Sequence, residues 1–281
     1  MYADIGAPLL DNALRGFNSC VLAYGQTGSG KTHTMMGGVD GHGRLQVADP
    51  AAAGLIPRLC DDLFRRIAPA ATPLARTTSG SRPVRLSWTV KASYVEVYNE
   101  NVTDLLGGRK AVALQQSSTG FDLSGAAKLP VTSAEQVLAL IAKGNEGRAT
   151  GATSMNEHSS RSHAVVVLFL QETMHTTQRN GATTEQPTRS STIKLVDLAG
   201  SERQSDTGAT GARLKEANNI NKSLTTLGMV IRALGDPKRA LPVPYRDSKL
   251  TKLLQDSFGG NSKTTMIATV GPSVATEQAT L

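Results

Sequence analysis

The longest regular pattern in the chain runs from Val84 to Tyr98, where Val84, Leu86, Trp88, Val90, Ala92 and Tyr94 alternate with Arg85, Ser87, Thr89, Lys91 and Ser93. A period of two predicts a long strand with one buried face. Compact apolar runs predict further strands over 19–24 (SCVLAY), 163–172 (HAVVVLFLQE), 191–198 (STIKLVDL) and 264–270. Helical spacing occupies 9–17, 55–67, 133–142, 216–234 and 247–258, and another helix begins near Lys31 and stops at Gly37 and Gly38. The stretch from His175 to Ser190 is polar and contains Asn180-Gly181, so the strands on either side form a hairpin. Residues 38–54 read as a loop, and 69–83 (PAATPLARTTSGSRP) as a flexible surface insertion. Strands alternating with helices predict a three-layer α/β/α fold whose central sheet is mostly parallel and contains one antiparallel hairpin.

Composition narrows the class. At 281 residues and 39% hydrophobic content the chain suits one sizeable core, read as a single domain over 1–281. No run reaches the roughly 18 apolar residues of a membrane helix, and the start lacks signal-peptide layout, so the default compartment is the cytosol. Two cysteines, Cys20 and Cys60, supply neither a disulfide framework nor a metal cluster and belong to the core. A net charge of +7 favours a polyanionic partner. Nucleic acid, an acidic membrane and an acidic protein surface all qualify, and 4% aromatics with no basic arm disfavour nucleic acid.

Three strings carry chemistry. GQTGSGKT, Gly25 to Thr32, fits G-x-x-x-x-G-K-[ST] between a predicted strand and a predicted helix. Glycines there turn backbone N–H groups around a β-phosphate, Lys31 reaches β and γ oxygens, and the Thr32 hydroxyl holds Mg²⁺. About 0.02 such matches arise by chance in a chain of this composition. DLAGSE, Asp197 to Glu202, ends a strand, so Asp197 is placed to hold a magnesium-bound water and Gly200 to offer its N–H to a γ-phosphate. Alone, D-x-x-G is a common strand-ending turn; after a P-loop it gains meaning. NEHSSRSH, Asn156 to His163, is a hydroxyl-rich loop of the kind that phosphate and Mg²⁺ order.

With those strings in hand the chain resembles the kinesin motor head. AYGQTGSGKTHTM (23–35), MNEHSSRSH (155–163), KLVDLAGSER (194–203), NINKSLTTLG (219–228) and VPYRDSKLTKLLQDSFGGNSKT (243–264) look like kinesin signatures in family order. The resemblance implies a P-loop NTPase fold that binds ATP and Mg²⁺ and works on microtubules, in the cytoplasm and its cytoskeleton, without nucleic acid or membrane contact. Gly25, Gln26, Thr27, Gly28, Ser29, Gly30, Lys31, Thr32 and His33 would then cradle the nucleotide. Ser159 and Ser160 would contact γ-phosphate and Mg²⁺, and Asn156 would position their loop. Arg161 and Glu202 would form the ion pair that closes the site, with Glu202 helping to relay a proton away from the attacking water. The helix over 216–234 resembles the family's relay helix, and Lys222, Arg246, Lys249 and Lys252 resemble the basic surface that meets acidic tubulin. At Asn218 the family often carries lysine, which implies weaker track affinity here. SHAV (162–165) and TGARLKEANNINKSLTTLG resemble the kinesin-3 branch, whereas GDPKRALPVP lacks that branch's lysine-rich loop.

Measured against the family pattern, the first strands with their base-contacting segment, the last helix and the neck linker do not occur in these 281 residues. The expectation that follows is a sheet edge at the 264–270 strand, lowered stability, weakened ATP affinity and no productive stepping. Two readings therefore stay open at this stage: an ATP-hydrolysing, microtubule-stimulated motor head, or a tubulin-binding pseudo-motor without turnover. A GTPase is set aside, because NKSL at 221–224 has Leu224 where guanine recognition needs aspartate.

Overall fold

A computed structural model describes residues 1–38, 52–68, 84–117, 120–150, 158–177, 183–202, 212–238 and 241–271. After a π-helical turn at Tyr2–Gly6, helix α1 (Ala7–Leu14) leads into β1 (Asn18–Tyr24), whose central residues are all buried. Helix α2 (Lys31–Met36) and helix α3 (Leu55–Ile67) follow. The alternating segment forms β2 (Val84–Tyr98), and short strands β3 (Asn101–Asp104), β4 (Ala113–Gln116), β5 (Phe121–Ser124) and β6 (Leu129–Val131) come next. Then come α4 (Ala134–Thr150), the single turn α5 (His158–Arg161), β7 (His163–Thr177), β8 (Thr183–Asp197), α6 (Ala212–Gly235), α7 (Lys249–Leu253) and β9 (Ser262–Ala268).

Among the described residues the main sheet has seven strands in the order β3-β2-β7-β8-β1-β9, with β6 pairing against another stretch of β2. β4 and β5 make a separate antiparallel pair. The three-layer α/β arrangement holds, but the balance of directions corrects the expected mostly parallel sheet. Among the described strands of this sheet β1–β8 and β1–β9 are parallel, and β2–β3, β2–β6, β2–β7 and β7–β8 are antiparallel. Connection length is the reason. β2 turns into β3 through Asn99 and Glu100 at φ 49° and 58°, a two-residue hairpin that leaves no room for a crossover.

Alternation along the strands sorts side chains into two cores. Val166, Leu168 and Leu170 of β7 face α1, α2, α3 and α4, and Val165 and Val167 face α6 and α7. Cys20 joins the second core and Cys60 the first, both fully buried. The predicted hairpin is present as the β7–β8 pair, in register from Ala164↔Asp197 to Thr177↔Thr183 with one bulge at Glu172/Thr173. Its Asn180-Gly181 turn and the 69–83 insertion lie outside the described residues.

Other boundaries differ from expectation for local reasons. The helix expected over 133–142 continues to Thr150 as α4. Gly144 does not end it, because it is where the helix passes over the Tyr94 ring and a Cβ would collide. The helix expected over 247–258 is divided into a 3₁₀ turn at Tyr245–Asp247, α7, and a second 3₁₀ turn at Gln255–Ser257. Ser248 starts α7 afresh by accepting the Thr251 N–H at 3.1 Å, an N-cap that cannot sit inside a continuous helix. Among the described residues β9 stands at the end of the strand order, as expected, with most of its own residues exposed.

Candidate functional site

The site gathers at the carboxyl ends of β1 and β8, neighbours that run parallel with Ala23 opposite Asp197. The chain leaving β1 must turn sharply to enter α2. Gly28 and Gly30 do so at φ 78° and 97°, left-handed values that strain any L side chain, and nothing lies within 4 Å of where their Cβ atoms would stand. Ser29 N–H closes the turn on the Gln26 carbonyl at 3.2 Å, and the Ser29 hydroxyl donates to the same oxygen at 2.8 Å. The result is a looped backbone with open space over it.

Lys31, the first residue of α2, is 7% exposed and folds its ammonium over this loop, donating to Gly25 O at 2.9 Å and Gln26 O at 2.8 Å. Burial lowers its pKa, against the pull of Asp197 and Glu202. The Thr32 hydroxyl donates to Asp197 Oδ2 at 2.6 Å, while Asp197 Oδ1 is buried without a partner. Burial raises the Asp197 carboxyl above its usual range, opposed by Thr32, Arg148 and Lys31. An ammonium that caps only carbonyls and an orphaned carboxylate oxygen beside a hydroxyl match a phosphate chain with its divalent cation. The residues present fit that group.

Two further segments close on the loop. Gly200 N–H donates to Ser160 O at 2.8 Å, which joins the hydroxyl-rich turn α5 to the DLAGSE segment. Ser201 N–H donates to Gly25 O at 3.0 Å. Glu202 accepts the Thr27 N–H at 2.8 Å and also the Thr27 hydroxyl. Burial opposes ionisation of Glu202, but hydrogen bonds from Thr27 and the charge of Lys31 bring its pKa below the ordinary carboxylate value. A Cβ at Gly200 would run into both the Thr27 hydroxyl and the Glu202 carboxylate, so only glycine fits at this crossing.

The residues singled out from sequence are thus brought together unevenly. Gly25 to Thr32, Ser160, Asp197, Gly200 and Glu202 converge, and Ser159 and His33 sit nearby in the chain with exposed side chains. Arg161 lines a small cleft with Glu100, His163, Asn219 and Ser223, whereas the contacts of Glu202 are with Thr27. Asn156 lies outside the described residues. Lys222 and Arg246 are exposed and share a cleft with Thr226 and Met229; Lys249 and Lys252 are half-buried on α7. Arg246 donates to Gln116 at 3.1 Å, and the Lys252 ammonium stands 5.8 Å from the Phe121 ring centre.

Two residues outside the predicted site, Arg148 and His163, tie its loops to the rest of the fold. Arg148, near the end of α4, donates to Glu96 at 3.1 Å and to Ser162 at 2.8 Å, tying the helix to the segment after α5. His163 accepts the Ala199 N–H at Nδ1, 2.9 Å, and contacts Ser223 Oγ through Nε2, 2.7 Å. The available signal was the end of the SSRSH string itself, a polar ring at the first position of an otherwise apolar strand.

A glycine loop, a buried lysine, a hydroxyl-aspartate pair and two flanking loops make this a P-loop nucleotide-binding protein whose phosphate end is watched from two sides. The family model described as the kinesin motor domain matches residues 1–281. The chain belongs to the kinesin motor domain family. It is 46% identical over its whole length to the kinesin-like protein KIF13B of Homo sapiens, of which it spans 14%, and 43% identical to KIN-12D of Arabidopsis thaliana, of which it spans 10%. Among solved structures, that of a fast kinesin superposes with a TM-score of 0.78 at 39% identity, covering 98% of this chain and 70% of that one. KIF14 with ADP in complex with a microtubule superposes at 0.77 and 40% identity, covering 99% and 73%. No described helix is long and apolar enough to cross a membrane.

Proposed function

We propose that this chain is the ATP-hydrolysing head of a microtubule motor, with ATP and Mg²⁺ held at the P-loop and hydrolysis coupled to the grip on tubulin. The observation that carries the reading is the meeting of Thr27, Ser160, Gly200 and Glu202 over the phosphate cradle. A simple nucleotide store needs the cradle alone; two further segments touching it are what a hydrolysis-sensing device needs. Solved complexes of KIF14 with a microtubule support the choice of track, and so does the net charge of +7 beside acidic tubulin. The location that goes with this partner is the cytoplasmic cytoskeleton.

In this reading backbone N–H groups from Gly25 to Gly30 orient the phosphates, and Lys31 turns from the Gly25 and Gln26 carbonyls toward their β and γ oxygens. Thr32 and Ser160 would hold the metal directly and Asp197 through water, with Ser159 on the γ-phosphate and Asn156 shaping its loop. Bound Mg²⁺ supplies charge neutralisation on the phosphate oxygens. Gly200 N–H, now given to Ser160 O, would be re-aimed at the γ-phosphate. Glu202 would leave Thr27 for Arg161 as the site closes and accept a proton relayed from the attacking water. While Glu202 is bonded to Thr27, those hydrogen bonds and the charge of Lys31 hold its pKa down and keep it ionised.

Steady-state ATPase with and without microtubules, beside a Lys31→Ala control, tests the proposal. Turnover that exceeds the control and rises with microtubules is expected. No activity above the control in either condition overturns the enzyme reading and leaves a tubulin- or nucleotide-binding module.

A further inference from the structure

The phosphate end of the site and helix α6 are joined through one imidazole. His163 opens β7 and is 2% exposed; Ser223, in the middle of α6, is 3% exposed; Ala199, one residue before Gly200, is fully buried. Ala199 N–H donates to Nδ1 of His163 at 2.9 Å. A nitrogen that accepts a backbone N–H carries no proton, so the neutral ring has its hydrogen on Nε2. That hydrogen points to Ser223 Oγ at 2.7 Å. Tautomer and orientation are both fixed by the partners, and the direction of the path is Ala199 N–H to imidazole to Ser223.

What lies at each end gives the path its meaning. Ala199 shares a peptide unit with Gly200, whose N–H meets Ser160 O, three residues before His163. Any re-aiming of the Gly200 N–H must rotate the Ala199–Gly200 backbone, and Ala199 cannot move far without breaking or dragging the His163 bond. At the other end Ser223 follows Lys222, an exposed cation on the same helix. The same helix is also tied to the sheet by Asn219, which donates to Asn99 Oδ1 at 2.6 Å, and α7 is tied there by Lys249 N–H, which donates to Glu100 at 3.0 Å. Asn99 and Glu100 form the tight β2–β3 turn. So the helix has one strut to the sheet and a second one, through His163, to the segment that contacts Ser160.

We propose that His163 is a positioning residue that transmits displacement of the Ala199–Gly200 backbone to helix α6 through Ser223, and thereby couples the nucleotide site to the track-facing surface. The inference rests on the motor reading above. Coupling of this kind corresponds to about fivefold or more in the affinity or rate it links.

The test uses the whole chain with Ser223→Ala, His163→Asn and both together. Asn places Oδ1 where Nδ1 stands, so it keeps an acceptor for Ala199 N–H while removing the Ser223 link. Basal turnover, microtubule-stimulated turnover and thermal melting are measured for each. Ser223→Ala is expected to leave basal turnover within about twofold and to lower the ratio of stimulated to basal turnover about fivefold or more. The double variant is expected to lose no more than the worse single one, since both cut one path. Stimulation kept within about twofold in the single variants, or losses that multiply in the double, overturns the inference. A lowered melting temperature with unchanged stimulation also overturns it, as that is a structural role only. A wild-type chain that microtubules do not stimulate refutes the motor reading instead, and the inference with it.

Discussion

His163 should make stability depend on pH in a way that one substitution removes. Burial, with Arg148 and Lys31 adding repulsion, pushes its pKa down to about 3. In the unfolded chain the ring titrates at about 6.5. A base whose folded pKa is depressed stays neutral in the fold while the unfolded chain takes up a proton, so stability falls as pH drops below about 6.5 and keeps falling to about 3. Between about pH 7.5 and pH 5 the loss from this one ring is about 2 kcal/mol, a figure that requires only a folded pKa below 5. His163→Asn retains an acceptor for Ala199 but does not titrate. At pH 7.5 the variant should be less stable by about 1–3 kcal/mol, from the lost Ser223 bond and the smaller side chain. At pH 5 that gap should shrink by about 2 kcal/mol, because only the wild type carries the penalty. Asp197, with its raised pKa, and Asp62, held down to about 2 by Arg66, Arg65 and Tyr2 despite its burial, titrate alike in both proteins and cancel. Urea unfolding followed by fluorescence of Trp88, the one tryptophan, reads both stabilities across this range. Parallel pH profiles for the two proteins would refute the neutral, buried imidazole on which the reasoning stands.

Gly200→Ala should drive a methyl group into Thr27 and Glu202 and cut ATP turnover at least about tenfold while thermal melting stays near wild type; unchanged turnover would mean the crossing opens freely. Leu168→Ala, at a fully buried position in β7, should cost about 2–5 kcal/mol in urea unfolding, and a loss under 1 kcal/mol would show that the core there is loosely packed. Lys222→Glu combined with Arg246→Glu should weaken microtubule cosedimentation about tenfold at low salt, with the difference narrowing as salt screens it. An equal defect at all salt concentrations would point to misfolding rather than lost charge.

The parts of the fold that were legible in the chain are those whose physics is local. The phosphate loop needs glycines at fixed offsets, and Gly28 and Gly30 do adopt the left-handed backbone that such a loop demands. β1 and β2 declare themselves by continuous burial and by alternation. β7 and β8 were expected to stop near 172 and to start at 191, but they run to Thr177 and from Thr183 as a largely exposed ribbon whose Thr, Gln and Glu residues carry no apolar signal. Strands of three or four residues such as β3 and β6 are too short for any period to register. At the site, the roles of Lys31, Thr32 and Asp197 follow from their motifs, whereas the partners of Glu202 and His163 depend on segments 36 to 175 residues away in the chain. Parallel or antiparallel direction was misjudged for a related reason: alternation of strands and helices says nothing about which strands become neighbours.

The burial of the two cysteines bears on how this molecule could be watched at work. Cys20 and Cys60 have no exposed surface, and desolvation pushes both thiols up to about 12. At neutral pH only about one thiol in 100,000 is then ionised, and maleimide dyes react with the thiolate. A single cysteine introduced on the surface would therefore take a fluorophore selectively in the native protein, with neither core sulfur replaced. Orientation of α6 or of the β7–β8 ribbon could be followed in single molecules on an otherwise unaltered background.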